Sequence, residues 1–356
     1  MDMKCEYYED IQYFKNKWVC LIAIVFVLFL LILPVYLSGY RIFLFNLMMI
    51  YVIVALGLNI LVGYTGQISL GHAGFFAIGS YGTTLLMGQL HIPFIIAIVL
   101  AGFIAAAFGF LLGLPALRLE GPYLAIATLG FGMTIMHIIG EVELFGGRLG
   151  LQAPPLDIGV PQIGWSLMLS TDVHKYYLIL PITILMVLAA RNITKTHIGR
   201  AFVAIRDSDI AAEVNGVYLL IYKTLSFAIS AFYAGIAGGL FAFVLGYIEP
   251  FTFNLLLSVV FLVMIIVGGL GSTLGSITGA LLIAYLQYSL LNNIGEAPYF
   301  GKWITGISER WFTLTGLENF NSIALGSIIV GVIIFESKGI NGIWLRMKKY
   351  FITWPF

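Results

Sequence analysis

At 356 residues, with 60% hydrophobic residues, only 10% charged residues and a net charge of +1, the chain does not read as one or two soluble domains, which carry roughly 25% charged residues. A mean hydropathy of +1.01 places most of it in lipid. No basic stretch is interleaved with exposed aromatics, which excludes a nucleic-acid partner, and Cys5 and Cys20 have neither metal-ligand spacing nor the setting of a structural disulfide.

Apolar runs near the ~20 residues needed to cross about 30 Å of hydrocarbon follow one another along the chain. They are Trp18–Leu37, Ile42–Val62, Phe75–Met87, Ile92–Leu114, Tyr123–Ile139, Tyr176–Ala190, Leu220–Ile248, Leu255–Val267, Leu274–Leu291 and Ser322–Glu336. The reading is an all-α polytopic membrane protein of about ten transmembrane helices. The third and eighth runs are short and are expected to extend into their glycine-rich flanks. The first run has an apolar core too long for a cleavable signal and no small-x-small site after it, so it is expected to stay as an anchor. Residues 1–17 form an N-terminal segment, 18–336 one transmembrane domain, and 337–356 a tail.

Lysine and arginine set the expected orientation. Lys4, Lys15 and Lys17 precede the first run. Arg191, Lys195, Arg200 and Arg206 precede the seventh, and Lys338, Arg346, Lys348 and Lys349 follow the tenth. Six and then four runs separate these clusters, both even numbers, so all three clusters and both termini can face the cytoplasm. Arg41, Arg148, Lys175, Lys302 and Arg310 fall on the outer side at lower density.

Between the second and third runs, Gly63-Tyr64-Thr65-Gly66-Gln67-Ile68-Ser69-Leu70-Gly71-His72-Ala73-Gly74 interrupts the chain. Irregular backbone at membrane depth survives only when buried in protein or lining a cavity. Thr65, Gln67, Ser69 and His72 therefore make this turn a candidate functional place. Glycines inside runs, among them Gly57, Gly79, Gly102 and Gly130, read mainly as packing positions. Gly246-Tyr247 after the seventh run echoes Gly63-Tyr64 after the second, on the opposite side by the same topology. That is the trace expected of an inverted repeat of spans two to five and seven to ten.

No run carries Asp, Glu, Lys or Arg near its middle, whereas ion-coupled carriers and pumps need such groups as relays. His72 and His137 read as hydrogen-bonded, space-filling histidines. Gly268-Gly269-Leu270-Gly271-Ser272 lacks the lysine of a phosphate loop. With neither an ion relay nor a nucleotide site, a transporter of this kind must receive its energy from another protein.

The interval Ala190–Leu219 is suited to deliver it. Asp207, Ser208 and Asp209 all suit a helix N-cap and Gly216 the residue past its end, bracketing about six residues whose apolar positions are mostly alanine. So short a helix must pack on something. Ala211 and Ala212 are expected to let a partner approach closely.

Several separated motifs resemble the permease subunits of branched-chain amino acid ABC importers. They are Gly57-Leu58-Asn59, the turn from Gly63 to Ala73 with Phe75-Phe76, Leu117-Arg118-Leu119-x-Gly121-x-Tyr123-x-Ala125-Ile126-x-Thr128-Leu129-Gly130-Phe131, Gly199-Arg200-Ala201-x3-Ile205-Arg206, and Val267-Gly268-Gly269-Leu270-Gly271-Ser272-x2-Gly275-x3-Gly279. They occur in the same order from about Arg41 to Leu291 and more faintly to Glu336. The Gly-Gln-x-Ser-Leu-Gly-His turn is similar to the M-type subunit of the pair.

The resemblance implies a bacterial or archaeal inner-membrane protein that pairs with a homologous H-type permease, two cytoplasmic ABC ATPases and an extracytoplasmic solute-binding protein. It implies no catalytic residue, no metal and no cofactor on this chain, ATP-Mg being held by the partners. Arg200, Arg206, Asp209, Ile210, Ala211, Ala212, Glu213 and Gly216 would couple to the ATPase. Ile210 stands where the importer pattern has glutamate, and Met133 where many relatives are acidic. Gln67, Ser69, His72, Thr128, Gly130, Thr134 and Ser327 would line the path, and Arg148, Lys302 and Arg310 would meet the binding protein. The implied substrates are leucine-, isoleucine- and valine-like amino acids, with urea or short amides as the alternative; a channel or ion-coupled carrier lacks its filter or relay.

Overall fold

A computed structural model describes residues 17–119, 121–155 and 171–290, with isolated positions between 326 and 350. Nine apolar helices among these residues coincide with the first nine predicted runs: α1 Lys17–Tyr36, α2 Gly39–Asn59, α3 His72–Gly88, α4 Phe94–Gly113, α5 Pro122–Glu141, α6 Asp172–Lys195, α9 Leu219–Leu245, α10 Leu255–Gly268 and α11 Thr273–Tyr285. Two polar helices, α7 His197–Asp207 and α8 Asp209–Val214, fill the interval between α6 and α9. Most of the tenth predicted run, the loop with Lys302 and Arg310, and most of both terminal segments lie outside the described residues.

Among the described residues, five helical segments are long and apolar enough to cross a bilayer: Gly39–Tyr64, Phe94–Leu117, Pro122–Glu141, Asp172–Lys195 and Leu219–Leu245. The protein is thus a helical membrane protein. Its centre is α2 and α9. α9 packs along α4, α3 and α2, while α11 and α6 cover the rest of α2. Small residues set these contacts, because lipid offers no hydrophobic drive between helices and close backbone approach must supply dispersion instead. A Cβ added at Gly235 of α9 would sit 2.7 Å from the Ala105 Cβ and 3.0 Å from the Gly102 Cα of α4. Aromatic side chains fill the wider gaps, with Tyr51, Phe76, Phe241, Phe253 and Phe261 in mutual contact. α4, α5 and α6 are peripheral: 33%, 28% and 33% of their apolar windows are buried, so each leaves a broad face open, α5 the most.

The glycine-rich flanks prolong the third helix as expected, by His72-Ala73-Gly74 and Gly88, but the eighth only by Gly268. α2 ends in a π-turn at Ile60–Tyr64, and residues 66–71 are non-helical before α3 starts at His72. Gly66 has φ +74, a left-handed conformation that stops a helix. α10 has 14 residues, about 21 Å and too short to cross alone. At the other end of the bundle, Leu151–Gln152 (β1) pairs antiparallel with Tyr247–Ile248 (β2), joining the segment after α5 to the segment after α9.

Candidate functional site

The segment between α6 and α9 folds as its caps predict. The Ser208 hydroxyl accepts from the Ala211 amide (3.3 Å) at the start of α8. Its end carries the paired bonds of a Schellman turn, Gly216 N–H to Glu213 O (2.9 Å) and Val217 N–H to Ala212 O (3.0 Å), with Gly216 at φ +84. α7 is amphipathic and buries Gly199, Ala201, Phe202 and Ile205. The outward face of α8 differs from the alanine surface expected. Ala212 is buried against its own chain, while Ile210, Ala211, Glu213 and Val214 are exposed. A six-residue helix can bury one side, and Ala212 lies on it. Asp209 does not project outward either: its carboxylate pairs with the Lys223 ammonium of α9. Arg200 lies exposed, 3.5 Å from the Lys195 carbonyl.

The Arg206 side chain is 40% exposed, yet it reaches back onto the bundle. One Nη donates to the Gly63 carbonyl (3.1 Å), and the remaining guanidinium contacts go to Asp207 Oδ1 at 3.1 and 3.2 Å. This brings the polar interval onto the glycine-rich turn. Ser69 and His72 are fully buried there, and the His72 ring is held on both sides, Nδ1 to Ser69 Oγ (2.9 Å) and Nε2 to Ser230 Oγ of α9 (2.6 Å). Ser230 lies roughly three turns into α9, so the broken backbone penetrates the bundle. The expected space-filling role of His72 is what the structure contains; His137 is instead exposed on α5. Two further hydroxyls satisfy the irregular backbone: Thr128 Oγ1 of α5 accepts from Leu70 N–H (2.9 Å) and Ser258 Oγ of α10 from Ala73 N–H (2.9 Å). Gln67 is buried with neither amide atom hydrogen-bonded.

Where the turn, α5 and the start of α10 meet, a cavity of about 210 Å³ is lined by Leu70, Leu129, Met133, Met136, Phe253 and Leu256, with Asn254 and Ser258 as its polar groups. A second, polar cleft of about 390 Å³ opens on the side of the interval, among Thr65, Gln67, Leu119, Leu124, Arg206, Asp209 and Lys223. Of the predicted path residues, Gln67, Ser69, His72 and Thr128 are thus gathered at the turn. Gly130 and Thr134 lie on the open face of α5, the Thr134 hydroxyl donating to Gly130 O (2.8 Å), and Ser327 is exposed. A Cβ at Gly130 would meet nothing within 4 Å, so packing within this chain does not require glycine there.

At the opposite end, Arg148 pairs with Glu141 (2.6 Å) on an exposed rim. The Glu141 carboxylate, through that hydrogen bond, raises the Arg148 guanidinium above its ordinary value. The flanking Gly146, Gly147 and Gly150 have φ +76, +59 and +82. A Cβ at Gly150 would collide with the Ile248 backbone, so that glycine fits the β1–β2 contact.

Three residues of this assembly escape a reading of the sequence, Lys223, Ser230 and Ser258, and Asn59 enters it only within the Gly57-Leu58-Asn59 motif. Only Lys223 leaves a usable signal, a lone lysine near the start of an apolar helix that demands a counter-ion.

Residues 40–335 match the family described as branched-chain amino acid transport system / permease component. The chain is 36% identical over 270 residues to the high-affinity branched-chain amino acid transport system permease protein LivM of Escherichia coli (strain K12), covering 70% of this chain and 63% of that protein. It is 35% identical over 267 residues to the protein of the same name from Salmonella typhimurium, with coverage of 70% and 63%. It is 26% identical over 228 residues to the autoinducer 2 import system permease protein LsrC of Photorhabdus luminescens, covering 62% of this chain and 60% of that one. Each match therefore spans less than two thirds of the relative's length. No solved structure matches the chain. The family match covers most of the sequence, and the chain belongs to the branched-chain amino acid permease family.

Proposed function

We propose that this member of the permease family is one of two membrane subunits of an ATP-driven importer for branched-chain amino acids. The observation that carries the reading is the cavity at the broken helices. Its walls are methyl, thioether and phenyl groups, matching an isobutyl or sec-butyl side chain, and its few polar groups sit at the start of α10. Such walls offer little to urea or a short amide. α5, with its open face, is the surface on which a second permease completes the path, and Gly130 and Thr134 lie on it.

The chain has ten spans, with residues 191–219 and both termini in the cytoplasm of a bacterial or archaeal cell. Spans two to five and seven to ten form an inverted repeat, supported by two reciprocal contacts: α4 packs on α9 as α11 packs on α2. ATP-Mg binds to two separate cytoplasmic ATPases, one of which receives the exposed Ile210, Ala211, Glu213 and Val214 of α8. An extracytoplasmic binding protein delivers the solute at the rim around Arg148. Movement of α8 opens the path alternately to each side, and this chain performs no covalent chemistry.

A single cysteine at Met133, in a chain lacking Cys5 and Cys20, tests the path. Modification with a bulky membrane-permeant maleimide is expected to abolish leucine uptake, and excess leucine to slow the labelling. Full uptake after complete modification would remove the cavity from the path.

A further inference from the structure

We propose that Arg206 is a positioning residue that works inward, carrying movement of α8 into both halves of the permease, with the Asp209–Lys223 pair as a second strut. The inference rests on the importer reading above and adds a route through named atoms.

Arg206 lies where two glycine turns meet. It donates to the Gly63 carbonyl at the end of the π-turn after α2 (3.1 Å). A Cβ at Gly66 would come within 3.2 Å of its Cγ, and one at Gly271, in the turn between α10 and α11, within 3.2 Å of its Nη1. The side chain therefore spans both turns. Asn59 clamps them, its Oδ1 accepting from Gly271 N–H (2.9 Å) and its Nδ2 donating to the Ser272 carbonyl (3.2 Å). From the first turn, hydrogen bonds continue through Leu70 to Thr128 of α5 and through Ala73 to Ser258 of α10. Leu70, Ala73 and Ser258 line the apolar cavity. Most of these links engage non-helical backbone, which can shift without unwinding a helix. The second strut is equally committed. Lys223 is buried and pairs with the Asp209 carboxylate, and separating such a pair leaves a buried group without its partner. A displacement of α8 must therefore move α9 or break the pair.

The alternative role for both groups is outward, as contacts for the ATPase. The two roles separate in the complete importer, reconstituted with its partner subunits, when ATP hydrolysed and leucine taken up are measured together. For Arg206→Gln we expect the ATPase subunits to stay bound while the ATP spent per leucine rises about tenfold, as for loss of one charge-assisted hydrogen bond. Arg206→Lys, which keeps a donor, should recover most of that ratio. Asp209→Asn should raise the ratio, and the exchanged pair Asp209→Lys with Lys223→Asp should lower it again. An unchanged ratio in Arg206→Gln overturns the proposal, as does loss of the ATPase subunits in proportion to uptake. If Arg206→Gln does not accumulate, the exchanged pair decides: failure to improve on Asp209→Asn overturns it. Absence of ATP-driven uptake by the wild-type complex would instead sink the importer reading itself.

Discussion

Replacing Asn59 with alanine tests how the two halves are joined. Asn59 is buried at the end of α2, and its amide spans more than two hundred residues of sequence to Gly271 and Ser272. Truncation removes both bonds and leaves a backbone N–H and a carbonyl without that partner. Each orphaned group costs about 1–3 kcal/mol in water-soluble proteins, but hydrogen bonds between membrane helices average only ~0.6 kcal/mol, because alternative partners are found. The turns lie at one end of the bundle, within reach of water, so the lower range applies and the pair should contribute about 1–2 kcal/mol. For a chain of this size that corresponds to a fall of roughly 1–3 °C in apparent melting temperature. The assay is thermal unfolding of the detergent-purified protein at one fixed scan rate, since such unfolding is governed by rate. Asn59→Asp keeps the acceptor for Gly271 but sets an oxygen against the Ser272 carbonyl and buries a carboxylate, so it should lose at least as much. Melting of Asn59→Ala indistinguishable from wild type would refute the clamp.

Other outcomes follow from the same geometry. In a chain lacking Cys5 and Cys20, a cysteine at Leu149 should react with an impermeant thiol reagent on intact cells and one at Val214 should not; the reverse pattern would invert the topology. Gly216→Val forces a β-branched residue to φ +84 at a cost of at least ~1 kcal/mol, so ATPase co-purification should fall while the amount of protein in the membrane holds; unaltered co-purification would make α8 a passive surface helix. Arg148→Ala should slow association of the loaded binding protein and flatten its salt dependence, and an unaltered rate would leave Arg148 as a rim charge paired only with Glu141.

The helices were legible because length and apolarity alone define a span in lipid, and α1 to α6 and α9 to α11 fall on the expected runs. The caps of α8 were equally legible, since Ser208 and Gly216 act through their own local backbone. The inward turn of Ala212, Asp209 and Arg206 was not. A six-residue helix has too few residues for periodicity to say which side is covered, and the partners Lys223 and Gly63 come from distant elements. The glycine turn stood out in the sequence by its polar residues, yet Ser230 and Ser258, which hydrogen-bond it, look like ordinary small residues of apolar helices. Gly130 read as a packing or path position; the open space around it marks a face that this chain does not cover by itself.

The central claim is that this chain forms the path of an importer for aliphatic amino acids driven from outside itself. Its most direct test is leucine uptake into proteoliposomes holding the complete complex and loaded binding protein. The expected result is uptake that requires ATP on the ATPase side, is competed by isoleucine and valine, and ignores urea, while the isolated chain hydrolyses no ATP. Uptake that proceeds without ATP on an ion gradient, or that urea competes as well as valine, would contradict it.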